Sequence, residues 1–221
     1  MLRPKNNKTK PRIKHRPFLK WAGGKFRLTD DLNRVFPKRK QCLIEPFVGA
    51  GAVFLNSHFE RYILADINPD LINLFNIVKE NVDAYIEACK PIFFAENANT
   101  AGYYYAQRDA FNQSTDPFER SVLFLYLNRF GFNGLCRYNS KNEFNVPFGA
   151  YKTHYFPEDE LRYFAHKAQS AVFLCADFQQ TFELADKHRV IYCDPPYAPL
   201  PHDTNFTRYA GNAFGVEHQK H

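Results

Sequence analysis

The sequence predicts an α/β fold, a doubly wound and mainly parallel sheet interrupted by a helical and β-hairpin insertion. Three observations predict it. Short apolar runs that end in an acid alternate with segments of helical periodicity. The alternation stops between residues 82 and 156, where helical segments lead into a stretch dense in Gly, Asn, Arg and aromatic residues. It then resumes with two further apolar runs, each with an aspartate just beyond it.

Taken in order, residues 1–16 are polar, basic and rich in Pro and Asn, and read as a mobile tail. Order is expected from about Phe18. Cys42-Leu43-Ile44 is the first buried strand, closed by Glu45-Pro46 and followed by the Gly49-Ala50-Gly51 turn and a helix at Ala52–Asn56. Tyr62–Ala65 is the second strand, ending at Asp66. Asn68-Pro69 starts a helix, with Asn as cap and Pro in the first turn, and Leu71, Leu74, Phe75 and Val78 recur behind it at helical spacing. Helices are expected around 84–93, 103–111 and 118–129, then one arm of a hairpin at Glu143–Val146. A helix near 157–169 precedes a strand at Val172–Cys175, with Asp177 beyond it, and another at Val190–Cys193 that ends in Asp194-Pro195-Pro196-Tyr197. Val216–His221 reads as the beginning of a helix, and four core strands are few for an open sheet. The expected organisation is a tail at 1–16, a discontinuous domain at 17–81 and 157–221, and an insertion at 82–156.

Composition narrows the function classes. With 45% hydrophobic and 24% charged residues, the 221-residue chain reads as globular. It has no uncharged apolar run near the ~20 residues of a membrane span and no apolar stretch after Met1, so a cytoplasmic protein is expected. Five scattered cysteines without a C-x-x-C pair argue against a zinc knuckle or a disulfide framework, and no metal cluster is evident. The net charge of +6 is uneven: residues 1–29 hold ten Lys and Arg and no acid, while the rest has 19 basic against 23 acidic residues. Such an arm is either a solvated tail or a segment that meets phosphates.

Three segments bear chemistry. In Asp194-Pro195-Pro196-Tyr197, the acid sits at the carboxyl end of a strand, where open α/β sheets bind ligands. The two prolines stiffen the turn and remove two N–H groups, leaving an acceptor-rich edge of carbonyls and a carboxylate. That edge suits an exocyclic amine held by the Asp194 carboxylate and the Pro195 carbonyl, with Tyr197 as a stacking face. In Glu45-Pro46-Phe47-Val48-Gly49-Ala50-Gly51 the glycines permit close approach of a ligand, and Asp66, about 20 residues on, has the spacing of a ribose-binding acid. Phe54 stands where a third glycine belongs, so a ligand with an adenosine and no phosphates is expected over a dinucleotide. Phe18-Leu19-Lys20-Trp21-Ala22-Gly23-Gly24-Lys25 lacks the spacing and the Ser or Thr of a P-loop. Trp21 is either a core residue or part of a site, and Lys25 can hold the carboxylate of an amino acid ligand.

Together, KWAGGK, EPFVGAG, LADIN, LNRFGFNGLCRYN, FNVPFG and DPPYAPL, in that order from about Pro17 to the last residue, closely resemble the Dam-type DNA adenine N6-methyltransferases. The resemblance implies a Rossmann-like methyltransferase sheet and methyl transfer from S-adenosylmethionine to N6 of an adenine flipped out of double-stranded DNA, in GATC or a closely related site. It implies that Trp21 and Lys25 line the methionine end of the cofactor. Gly49 and Gly51 form its close-approach turn beside Phe47, Asp66 holds the ribose, Asp177 and Phe178 flank the cofactor adenine, and Asp194, Pro195 and Tyr197 form the catalytic corner. In the insertion, it implies that Arg137 contacts guanine, Leu135 and Pro147 pack on a thymine methyl, and Phe132-Asn133 fill the gap left by the flipped base. Lys20 and Tyr151 reach a flanking base and a phosphate. A Tyr is common in the family where Phe132 stands.

Direct transfer fits the residues, because no Pro-Cys pair supplies the thiolate that cytosine carbon-5 chemistry needs. A monomer without a metal is expected. The family ordinarily continues for several dozen residues, so the resemblance also implies a sheet incomplete at its C-terminus, with weak cofactor binding and little activity. The competing readings are a cytosine N4-methyltransferase, which more often has Ser where Asp194 stands, a catalytically inactive DNA-binding module, and a protein or RNA methyltransferase.

Overall fold

The computed structural model describes residues 13–39 and 41–196. Among these, the elements are α1 (Thr29–Val35), β1 (Cys42–Glu45), α2 (Ala52–Asn56), β2 (Arg61–Asp66), α3 (Pro69–Glu80), α4 (Val82–Phe93), α5 (Ala101–Gln113), α6 (Pro117–Phe130), α7 (Glu158–Ala168), β3 (Ala171–Cys175), α8 (Phe178–Phe182) and β4 (Arg189–Ile191). The four strands pair in parallel in the order β3-β2-β1-β4. This is the doubly wound α/β fold that the alternation predicts. The helix expected at 216–221 lies outside the described residues, as does Tyr197. No helix of the described residues is long and apolar enough to cross a membrane.

Local chemistry explains the elements that were expected. Asn68 caps α3, its side chain accepting from the Asp70 and Leu71 amides at 3.0 and 3.3 Å, with Pro69 in the first turn. Asp116 caps α6 in the same way through the Glu119 amide at 2.7 Å, ahead of Pro117. The expected hairpin is present in sparser form. Only two isolated bridges, Gly131 to Phe148 and Tyr138 to Phe144, join its arms. Non-Gly residues in the left-handed region, Asn133 (φ 54°) and Asn142 (φ 60°), break the regular ladder. The short helices α1 and α8 have no expected counterpart. α8 is built on a capping box in which Asp177 accepts from the Gln179 amide at 2.9 Å and Gln180 accepts from the Asp177 amide at 3.1 Å.

The core is assembled from aromatic rings. Phe75 of α3 lies 4.7 Å from Phe164 of α7 and 5.3 Å from Phe173 of β3. Phe18 meets Phe164 edge-on at 5.0 Å, and Phe54 meets Tyr62 at 4.9 Å. α6 is buried all round from Ser121 to Asn128 and packs against α3, α4 and α5, so the helices of 82–156 share one hydrophobic core with the sheet. Residues 13–16, which the sequence places in the basic tail, dock on this body. The His15 amide donates to Asn56 Oδ1 and Asn56 Nδ2 donates to the His15 carbonyl, both at 2.9 Å, while the imidazole stacks on Tyr163 at 3.4 Å.

The strand order reverses between β1 and β4. At such a switch point the loops after neighbouring strands part and leave a crevice at the carboxyl ends. Here those loops begin at Glu45 and at Tyr192, whose amide donates to the Ile44 carbonyl at 2.9 Å.

Candidate active site and nucleic-acid interface

The crevice brings the three sequence segments together. Val48 N–H donates to the Ala65 carbonyl at 2.8 Å, which folds the glycine turn over the end of β2. Gly49, at φ 48°, lies directly beneath the Trp21 indole: a Cβ there would sit 2.8 Å from Trp21 Nε1 and 3.0 Å from Cδ1. Only glycine permits that approach. The glycine turn is thus closed on one side by the segment from 18 to 25.

Asp66 ends β2 and faces the same turn. Its Oδ2 accepts from Gly49 N–H at 3.2 Å and its Oδ1 from Asn68 N–H at 3.0 Å. Burial pushes the carboxyl up to about 6, against the pull of these amides. Phe47 and Phe178 stack on each other, with centroids 5.6 Å apart and planes 25° from parallel. Asp177, next to Phe178, is committed to capping α8. Gly51 adopts φ 75° and begins α2.

On the other side of the switch point, Asp194 Oδ2 lies 2.6 Å from Lys25 Nζ, and this ammonium also donates to the Gly23 carbonyl at 2.8 Å. Pro195 and Pro196 follow in half-buried positions. Lys25, expected at the amino-acid end of a ligand, therefore holds the acid of the rigid corner.

One residue in this crevice stands in the sequence simply as a strand end. Glu45 is 2% exposed and its Oε1 has no hydrogen-bond partner among the described residues. Burial first, and then the nearby Asp194 charge, push its carboxyl up to about 8, so it holds its proton at neutral pH. The available signal was an acid placed after three residues of a strand buried on both faces. Glu45, Asp66 and Asp194 thus give the crevice three acidic side chains, two of them raised by burial, with the Lys25 ammonium against the third.

The residues expected to touch DNA form a second surface. Phe132 is 47% exposed and its amide donates to the Pro147 carbonyl at 2.8 Å. Asn133 and Pro147 are exposed and Leu135 is half-buried. Lys20 lies against Gly134, where a Cβ would overlap its own, and its Nζ donates to the Arg129 carbonyl at 2.9 Å and lies 3.9 Å from the Tyr151 ring centroid. Tyr151 O–H in turn donates to the Gly131 carbonyl at 3.2 Å. Burial, and then the Arg129 charge, lower the Lys20 ammonium to about 8. Buried Asn128, which no local sequence signal marks, ties this surface to the crevice: its Oδ1 accepts from Lys20 N–H at 2.8 Å and its Nδ2 donates to the Lys20 and Gly134 carbonyls. Arg137 stands farther along the hairpin. Its Nε donates to Asn145 Oδ1 at 2.7 Å and its Nη2 to the Asn145 carbonyl at 3.1 Å, which ties the guanidinium to the facing arm of the hairpin.

Comparisons with known proteins identify the family. The family model of the D12 class N6 adenine-specific DNA methyltransferases matches residues 21–221. A DNA adenine methylase of Haemophilus influenzae is 81% identical over 220 residues, covering 100% of this chain and 77% of the relative. DNA adenine methylases of Escherichia coli K12 and of Vibrio cholerae O1 are each 59% identical, over 208 and 206 residues, covering 94% and 93% of this chain and 74% of each relative. The chain therefore belongs to the D12 class N6 adenine-specific DNA methyltransferases, as a Dam-type enzyme of DNA adenine methylation.

Proposed function

We propose that the chain transfers the methyl group of S-adenosylmethionine to N6 of an adenine flipped out of a GATC duplex site. The observation that carries this reading is the meeting of three segments at one switch point: the Asp194 corner, the Gly49 turn under Trp21, and Asp66. The crevice suits the cofactor chemically. Glu45 Oε1 is a buried polar atom without a partner among the described residues, Asp66 offers carboxylate oxygens, and Phe47 and Phe178 are flat walls. When bound, S-adenosylmethionine supplies an electrophilic methyl group.

The chain's own residues do the rest. Asp194 and the Pro195 carbonyl accept the two N–H bonds of the adenine amine, and this favours the pyramidal nitrogen of the transition state over the flat, delocalised one. Pro195 and Pro196 hold those acceptors rigid, so little reorganisation accompanies the reaction. Lys25 sets the orientation of the Asp194 carboxylate. Tyr197, outside the described residues, is the stacking face for the flipped ring. Trp21, Lys25, Phe47, Gly49, Gly51, Asp66, Asp177 and Phe178 surround the cofactor.

Residues 82–156 are the reading insertion. Phe132 and Asn133 replace the extruded base in the stack, Arg137 reads guanine, Leu135 and Pro147 meet the thymine methyl, and Lys20 and Tyr151 contact the flank and a phosphate. Incubation with radiolabelled S-adenosylmethionine and GATC or scrambled duplexes tests this reading. Label in adenine N6 of the GATC duplex, lost in Asp194→Ala, is expected. Equal label in the scrambled duplex, or undiminished label in Asp194→Ala, would refute it.

A further inference from the structure

The turn that carries Asp66 and the hairpin that carries Arg137 are joined by side chains that have no role in the site as described. The Asn68 amide donates to Asp66 Oδ1 at 3.0 Å, while its Nδ2 donates to Cys136 Sγ at 3.3 Å. Its remaining side-chain atom, Oδ1, caps α3. All the polar atoms of this buried side chain are therefore committed, to two different parts of the molecule.

Two residues on, Asp70 makes a two-pronged ion pair with Arg120 of α6, Nε to Oδ1 at 2.9 Å and Nη2 to Oδ2 at 3.0 Å. The Tyr138 hydroxyl donates to the same Oδ2 at 2.6 Å. Arg120 is itself locked, donating to the Phe111 and Ser114 carbonyls at 2.8 and 3.0 Å and lying 4.1 Å from the Phe111 ring centroid. Tyr138 directly follows Arg137 and bridges to Phe144 across the hairpin. The backbone of the guanine-reading arginine is thus fixed from the first turn of α3. A fully satisfied network of this kind admits one geometry and resists partial displacement.

We propose that Asn68 and Asp70 are positioning residues that hold the DNA-reading hairpin against the cofactor turn, so that occupation of either one is felt by the other. Any shift of Cys136 or Tyr138 moves the Asn68–Asp70 turn, and with it the amide that orients Asp66. The proposal rests on the reading in which Asp66 faces the cofactor and Arg137 faces DNA. Linkage then requires that cognate DNA and cofactor change each other's affinity by one common factor.

The test is calorimetry of the chain with sinefungin, a cofactor analogue that cannot transfer a methyl group, alone and in the presence of a short GATC duplex. In the unmodified chain the duplex is expected to tighten sinefungin by about fivefold or more. Tyr138→Phe keeps the ring and removes the hydroxyl, and Asp70→Asn keeps the shape and removes the charge. Each is expected to leave affinity without DNA within about twofold and to bring the ratio close to one. Asn68→Ser, which retains a capping oxygen and loses the donor to Cys136, gives the same reading should the other two fail to fold. A ratio near one in the unmodified chain, or a full ratio in the folded variants, would overturn the link. Two controls separate this from the underlying reading. Asp66→Ala is expected to weaken sinefungin and Arg137→Ala to weaken the duplex. If either control binds like the unmodified chain, the functional reading itself falls, whereas weakened controls with a retained ratio sink only the link.

Discussion

Replacing Glu45 by glutamine offers a sharp test of how the crevice is charged. The Glu45 carboxyl holds its proton up to about pH 8 in the folded chain, against an ordinary value of 4.5. Between those two values the folded state binds more protons than the unfolded state, so rising pH favours unfolding. The cost is absent below the ordinary carboxyl range and complete above about pH 8. From those two values, linkage places about 2 kcal/mol of it between about pH 6 and about pH 8. The glutamine side chain has nearly the same shape and no proton to lose, and any packing penalty it brings is the same at every pH. Urea denaturation of the parent and of Glu45→Gln at about pH 6 and about pH 8 reads the difference directly. The variant is expected to gain about 2 kcal/mol relative to the parent across that interval. A stability difference that stays constant with pH would show that Glu45 is ionised in the folded chain, and would remove the protonated carboxyl from the description of the crevice.

Three further outcomes follow from the geometry. Lys20 and Lys167 are each lowered to about 8 from 10.5, mainly by burial, so their cost is present below that value and is relieved as pH rises towards the ordinary lysine range. Lys20→Met removes that cost at one site, so its stability relative to the parent is expected to fall as pH rises from about 8 to about 10, and a difference that stays constant in urea unfolding at those two pH values would contradict it. Phe75→Ala removes a fully buried ring that touches Phe18, Phe164 and Phe173 and is expected to cost about 3–5 kcal/mol in urea unfolding, with a cost under about 1 kcal/mol contradicting that packing. Gly134→Ala places a Cβ at φ 61° and into Lys20, so it is expected to destabilise by more than about 1–2 kcal/mol and to weaken duplex binding in a filter assay, whereas unchanged binding would separate Lys20 from the DNA surface.

Much of this fold was legible because its signals are local. Asn68-Pro69 and Asp116-Pro117 mark helix starts within two residues, and the apolar runs that end in Asp66 and Asp194 mark strands of the parallel sheet. What stayed hidden depends on contacts between distant parts of the chain. Lys25 was equally suited to a ligand carboxylate or a protein one, and only the pairing of β4 beside β1 brings Asp194 to it. Glu45 looked like the polar end of a strand, because burial of its carboxyl needs Phe54, Lys167 and Asp194 to converge. Asp70 reads as an ordinary first-turn acid of α3, and nothing nearby in sequence announces Arg120 or Tyr138 as partners. α1 and α8 are too short for periodicity to reveal.

Trp21 is the only tryptophan in 221 residues, and its indole lies on Gly49 at the mouth of the crevice. The chain thus contains a built-in optical reporter in one useful place. Excited at the red edge, where the 13 tyrosines are silent, its emission comes from a single indole with no background from elsewhere. Changes in wavelength or quenching then track the glycine turn in unlabelled protein, while global unfolding is followed separately through the backbone.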